Sequence, residues 1–338
     1  MELLQMRQDR QDEIRFDLAQ SRADWEEACA GFTQATAFHR YDFLSAVAPC
    51  LHSTFVPLVV YFRSRKVGVA PLLTRQYGPF CVINSGPLPY LGPLVPAELI
   101  PATLAALSAE ARRRRALDHY QFFSPFDSPP AVDGFRMQVD RTFIIPLRDR
   151  SDEDLLRAMN PGRRKEIRRA EQIGLGVHAA EPEDFELMDA WNKQLYAAQG
   201  LVPVFPAGTY GRIFRALSGT PDSTFCAARM DGRTVGVQIN LAASRRVFAW
   251  QYAIDKSFKP CSPQSILMWY TALQARDSGA SELDLVGAPN EGIATYKLRL
   301  GAEERGYVVM RRPVQSYRLA RAGISRMLVG TRKSVRRA

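Results

Sequence analysis

Asp284–Gly301 reads DLVGAPNEGIATYKLRLG. Leu283, Leu285 and Val286 set an apolar strand around Asp284. Gly287, Pro289, Asn290 and Gly292 then break it, because these residues supply turn and positive-φ conformations. Ile293 to Leu300 reads as a short helix, with Gly301 where a C-cap falls. The geometry expected is a strand that ends, a loop that opens, and a helix that aims Tyr296 and Lys297. Ligands of α/β sheets gather beyond strand ends of this kind. An ordinary connection carrying a surface lysine is the alternative.

Outward from this stretch, strand and helix signals alternate. In the N-terminal half, Ile14, Phe16 and Leu18 read as a strand. A helix near Trp25–Phe32, with Asp24 as cap, and another from Tyr41 to Val47 follow. Phe55–Phe62 and Val67–Leu73 form a hairpin, Cys81–Asn84 a short strand, Pro101–Arg115 a helix and His119–Phe123 a strand. In the C-terminal half, Asn160-Pro161 opens a helix that stops at Gly174. Gly176–Ala179, a helix over Pro182–Gln199 and another near Tyr210–Leu217 come next. Ser223-Thr224-Phe225 starts a hairpin as Ser53-Thr54-Phe55 does, and Val235-Gly236-Val237 repeats Val67-Gly68-Val69. Pro263 opens a helix before Leu283 as Pro101 does before Tyr120. Two copies of one α/β unit explain this matching order.

The 338 residues suit two domains. Charged residues make up 24% and hydrophobic residues 46%, as in ordinary globular proteins. There is no apolar run of transmembrane length. The N-terminus, MELLQMRQDRQDEIRF, lacks a signal-peptide core, so a cytoplasmic protein is expected. Five scattered cysteines and four histidines show neither disulfide nor zinc spacing. No metal is expected. Net charge is +10, and nine of the basic residues lie between Arg311 and Ala338, a span without acids. Arg163, Arg164, Lys165, Arg168 and Arg169 crowd a second basic stretch. Local basic faces suit RNA, a phosphorylated substrate or an anionic membrane surface, with a solvated face as the plainer reading.

Three stretches together resemble a known group. They are RRKEIRRAEQIGLGV (Arg163–Val177), the strand, turn and helix of Thr224–Leu273, and DLVGAPNEGIATYKLRLGAE. The sequence resembles the Fem-type aminoacyltransferases and the neighbouring CelD/BcsL-type acyltransferases, built from tandem GNAT-like domains. The resemblance implies an α/β (α+β) fold of two such domains, each a mixed, mainly antiparallel sheet flanked by helices. Domain 1 is expected over 1–145, with 311–338 packing back on it through the apolar positions Tyr317, Ala320, Ile324, Met327 and Leu328. Domain 2 is expected over 146–310.

The implied activity is transfer of an aminoacyl group from charged tRNA to an amine of a peptide or peptidoglycan-precursor-like acceptor. No cofactor beyond the tRNA co-substrate is implied. An acyl-CoA-dependent N-acyltransferase acting on an amino sugar or polysaccharide precursor is the alternative. Against CoA stands the segment Lys259–Ser265, which has no glycine to cradle pyrophosphate. A non-catalytic RNA- or membrane-binding protein on the same scaffold is a third possibility. A monomer or weak dimer would serve any of these.

Lys297 is the candidate for holding phosphate or stabilising charge on a carbonyl oxygen. Asp284 is the candidate base for the acceptor amine. Tyr296, Asn290 and Arg299 flank them as substrate contacts. Trp250 and Tyr252 alternate on one strand as aromatic walls. Tyr41 is placed where the family's first domain meets its substrate. Arg163, Arg164, Lys165 and Arg168 are the tRNA-binding candidates.

Overall fold

The computed structural model describes residues 14–313. A single sheet of twelve strands runs through both halves. The first half supplies β1 (Ile14–Leu18), β2 (Thr54–Phe62), β3 (Arg65–Tyr77), β4 (Phe80–Ile83) and β5 (Ala116–Phe122). Its helices are α1 (Arg22–Cys29), α2 (Tyr41–Cys50) and α3 (Ile100–Arg113). Strand β6 (Arg136–Pro146) and helix α4 (Asp152–Ala158) link the halves. The second half supplies α5 (Pro161–Gln172), β7 (Gly176–Ala179), α6 (Asp184–Ala197), α7 (Thr209–Leu217), β8 (Ser223–Met230) and β9 (Arg233–Ala243). Then come β10 (Arg246–Ile254), α8 (Pro263–Asp277), β11 (Glu282–Gly287), α9 (Glu291–Arg299) and β12 (Glu303–Pro313).

The order β1-β2-β3-β4-β5-β12-β6-β11-β10-β9-β8-β7 is nearly symmetrical about its centre. Each half has antiparallel strands ending in one parallel pair, β4 with β5 and β10 with β11, joined by a helical crossover. Parallel neighbours need such a crossover, and α3 and α8 provide it. β6 pairs with β11 of the second half, and β12 pairs with β5 of the first. Each half therefore completes its sheet with a strand from the other. Arg311 and Arg312, read from sequence as the start of a basic tail, are ladder residues of β12, and Arg311 pairs with the buried Asp118. The remainder of that tail, 314–338, lies outside the described residues.

Alternating side chains divide the interior between the sheet's faces. Phe225 and Ala227 enter one core with α1, α2, α6 and α7, and Cys226 and Ala228 enter the other with α5, α8 and α9. The first core runs across both halves, whereas α3 covers a separate core in the first. Helix α1 is capped by Ser21, whose hydroxyl accepts from the Asp24 amide, so its start lies earlier than the sequence signal at Asp24. Asn160 caps α5 by accepting from the Gly162 amide.

The parallel pair of the first half does not open onto solvent. The loop after β4 folds back over it. Gly92 donates to the Phe122 carbonyl at 2.6 Å, and a Cβ there would meet that oxygen at 3.1 Å. Leu88, Tyr90 and Leu91 of the loop are fully buried.

Candidate active site

In the second half the parallel pair stays open. β10 and β11 pair over three residues, from Arg246 with Glu282 to Phe248 with Asp284. A bulge at Trp250 then bends β10, and a second irregularity between Asp284 and Gly287 bends β11. Bulges bend strands and end pairing, and here they separate two neighbours. A cavity of about 720 Å³ fills the wedge. Its walls include Trp250 to Tyr252, Leu285 to Gly287, Trp191, Asn192, Gln264, Met268, Tyr296 and Lys297. Gly86 to Pro89, from the loop that closes the first half, complete it.

The bulge changes the expected aromatic wall. Trp250 and Tyr252, two residues apart, enter opposite cores. Trp250 packs edge-on against Phe43 at 5.0 Å and Phe205 at 5.3 Å. The Tyr252 hydroxyl accepts from Gln264 Nε2 at 2.5 Å. The cavity therefore passes through the sheet and is lined on both faces. The exposed Lys256 and Lys259 of a short 3-10 segment, Lys256–Cys261, stand on its wall just before α8. Neither lysine stands out in the sequence, because the segment around them lacks the glycines that mark a phosphate cradle.

Lys297 is 8% exposed and lines the cavity. Its ammonium donates to the carbonyls of Leu285 at 2.5 Å, Val286 at 3.2 Å and Gly287 at 2.7 Å. These carbonyls converge because Val286 sits at φ +64°, a conformation that β-branched residues rarely adopt. Burial pushes the Lys297 pKa down to about 8, and the charge of Asp284 partly opposes the shift. The lysine thus clamps the end of β11 while keeping its charge beside the cavity.

Asp284 is fully buried. It accepts from the Thr142 hydroxyl at 2.7 Å, the Val286 amide at 2.7 Å and the Tyr90 hydroxyl at 3.0 Å. Burial raises its pKa against these hydrogen bonds. It is placed to fasten the loop, β6 and β11 together rather than to meet an incoming amine. The Asn290 side chain caps α9 by accepting from the Ile293 amide at 3.0 Å. Arg299 is exposed, and Tyr41 packs on Phe55 at 5.5 Å. None of these three is on the cavity wall. Arg163 lies over the Tyr296 ring at 5.2 Å and pairs with Glu166 at 2.6 Å. Arg164, Lys165, Arg168 and Arg169 make no ion pair among the described residues. Their helix packs against the 3-10 segment that carries Lys256 and Lys259.

A second cavity of about 590 Å³ adjoins the first, sharing Gly287, Pro289 and Tyr307 with it. Asp140, Arg141 and Glu304 line it. Arg141 is paired with Glu291 and, at 3.7 Å, with Glu304. A Cβ on Gly287 would come 3.8 Å from the Tyr307 hydroxyl, so that phenol stands at the junction. Tyr307 hydrogen-bonds Asp140, and burial followed by the charges of Asp140 and Asp284 pushes its pKa up.

Two matching halves, each with one parallel pair, share a single twelve-stranded sheet, and in the second half that pair parts to hold the cavity. Residues 162–298 match the family model described as an acetyltransferase (GNAT) domain, which places the chain among acyltransferases. No curated protein matches the chain by sequence. Among solved structures, FemX superposes with a TM-score of 0.63 at 14% identity, over 82% of this chain and 92% of that one. The C-terminal domain of a putative lysylphosphatidylglycerol synthetase from Agrobacterium fabrum gives 0.58 at 12% identity, over 90% and 97%. A tandem GNAT protein from the clavulanic acid biosynthesis pathway gives 0.51 at 14%, over 89% and 98%. Among the described residues no helix is long and apolar enough to cross a membrane.

Proposed function

We propose that this protein moves an aminoacyl group from charged tRNA to an amine, forming an amide, as the Fem-type resemblance implies. The observation that carries the reading is the meeting of two cavities at Gly287 and Tyr307. The donor enters past Lys256 and Lys259, where the unpaired cations of α5 offer a surface for a polyanion. The amine arrives through the second cavity, where Asp140 and Glu304 outnumber Arg141, itself paired with Glu291, and favour a cationic amine. It loses one proton toward Asp140 beside Tyr307 and attacks the ester carbonyl, and a second proton passes from its nitrogen to the ribose oxygen as the C–O bond breaks. Lys297 holds the strand end and lends positive charge to the carbonyl oxygen. The acceptor is a peptide or peptidoglycan-precursor-like amine. In this reading units 1–145 and 146–310 share the central strands, and only the second carries the reaction.

Acyl-CoA is the second reading, favoured by the cavity's position between parallel strands with Lys256, Lys259 and Lys297 on its wall. Incubating the protein with tRNA charged with labelled amino acids, or with labelled acyl-CoA, plus amine acceptors from cell extract separates them. RNase-sensitive transfer of label into an amide is expected. Transfer from the thioester alone overturns the tRNA reading.

The triple substitution Arg164→Glu, Lys165→Glu, Arg168→Glu is expected to weaken tRNA binding about tenfold or more near physiological salt. The slope of log affinity against log salt should fall by roughly 2 to 3. Filter binding across a salt series measures both, and an unchanged slope removes α5 from the interface.

A further inference from the structure

We propose that the free edge of β6 over Arg136–Asp140 receives an extended peptide as an added strand, with a side-chain amine of that peptide entering the second cavity. The inference rests on the reading of that cavity as the acceptor's, and adds how the acceptor is held. β6 pairs with β12 in unbroken register from Arg136 to Ile144. On its other edge it pairs with β11 only from Thr142 to Pro146. In an antiparallel ladder every second residue turns its N–H and C=O away from the partner strand. Along Arg136–Asp140 those outward groups have no backbone partner among the described residues.

An edge of this kind is a template for another chain, and proteins blunt it with proline, lysine or a bulge. Over Arg136–Asp140 there is no proline, lysine or register shift, and Met137 and Val139 are 51% and 66% exposed. The second cavity opens where β11 leaves β6, lined by Val139, Asp140 and Arg141 together with Gly287, Ala288 and Pro289. Arg141 is paired with Glu291, which leaves Asp140 and Glu304 as net negative charge on the wall. That sign suits an ammonium and identifies the added strand as a cationic peptide. In strand addition the main-chain bonds supply affinity and pockets for alternate side chains supply specificity. The edge has room for a peptide of about five residues, one beside each residue of β6.

The probe is a fluorescein-labelled peptide, acetyl-Val-Ala-Lys-Ala-Val-amide, whose anisotropy should rise saturably with protein. An edge-paired strand uses only every second N–H of its own backbone. One isomer methylated on the two alanine nitrogens and another methylated on the nitrogens of lysine and the second valine should therefore differ. One is expected to bind about tenfold or more weaker, and the other within about threefold of the parent. Norleucine in place of lysine should cost about tenfold. Amide exchange read residue by residue locates the strand. The outward amides of Arg136–Asp140 should exchange freely in the protein alone and slow by about tenfold or more with peptide bound. Slow exchange there before peptide is added means that the chain itself or a second copy covers the edge, and overturns the inference. So do equal losses in the two methylated isomers, norleucine as good as lysine, protection only elsewhere, or no binding. Strand pairing without transfer from any tRNA keeps the edge site and rejects the tRNA donor, and transfer without strand pairing does the reverse.

Discussion

Replacing Lys297 with alanine is expected to lower the turnover number by about a hundredfold or more, the scale of losing one preorganised electrostatic group. Three carbonyls, from Leu285, Val286 and Gly287, converge on this ammonium. Without it they repel one another, and only the Val286 amide's bond to Asp284 still holds Val286 at φ +64°. The strand end then relaxes where the two cavities meet, so positioning is lost together with charge. Lys297→Met, of similar length but without charge, should fail as fully. Rapid-quench transfer kinetics on folded variants measure this, and activity within tenfold of wild type in either variant would remove Lys297 from the reaction.

The same residue gives a pH signature. Its pKa is lowered to about 8 from an ordinary 10.5, mainly by burial. Transfer should decline as pH rises through about 8 and the ammonium loses its proton. Stability moves the other way. Between about 8 and 10.5 the unfolded chain still holds the proton that the native state has released, so the unfolded state binds more protons and stability rises with pH. Activity falling while the melting temperature holds or climbs across pH 8 to 9 is the expected pattern. Lys297→Met should abolish that rise.

Asp284→Ala is expected to destabilise the protein by about 3–5 kcal/mol, as removal of one partner from a buried charged network does. Three donors lose their acceptor together: Tyr90 from the first-half loop, Thr142 from β6, and the Val286 amide. A drop of roughly 10 °C in melting temperature follows for a chain of this size. Asp284→Asn retains an acceptor oxygen and should be much milder, with transfer within about tenfold of wild type. A stable but inactive Asp284→Asn protein would restore Asp284 as the base and displace Asp140.

Most of the fold was legible because its signals are local. Asn160-Pro161 and Gly174 bound α5, and the repeated Ser-Thr-Phe and Val-Gly-Val starts mark β2, β3, β8 and β9. The central strands were not. β6 begins as RMQVD, an exposed stretch in which polar residues alternate with Met137 and Val139, and becomes continuously apolar only from Phe143. β12 carries charges at both ends and runs into the basic tail, so its ladder resembles a linker. In the site, Tyr296 and Lys297 were legible from a strand, a break and a helix. The separation of Trp250 from Tyr252 was not, because a bulge is set by pairing with β9 rather than by local sequence. Nor could sequence spacing indicate that Tyr90, 194 residues from Asp284, reaches its carboxylate. Contacts at that range leave no periodic trace.

The placement of β12 also dictates when the molecule can form on the ribosome. The strand beside β5 is the last of the twelve to be synthesised. A nascent chain that has emerged through β11 therefore carries β5 with an unpaired edge, and such edges invite pairing with other chains. The first half cannot close its sheet until the second has been made. Folding must be a late event with many long-range contacts, which is slow and aggregation-prone. A chain stalled just before Glu303 should lean on holding chaperones far more than one released after Pro313.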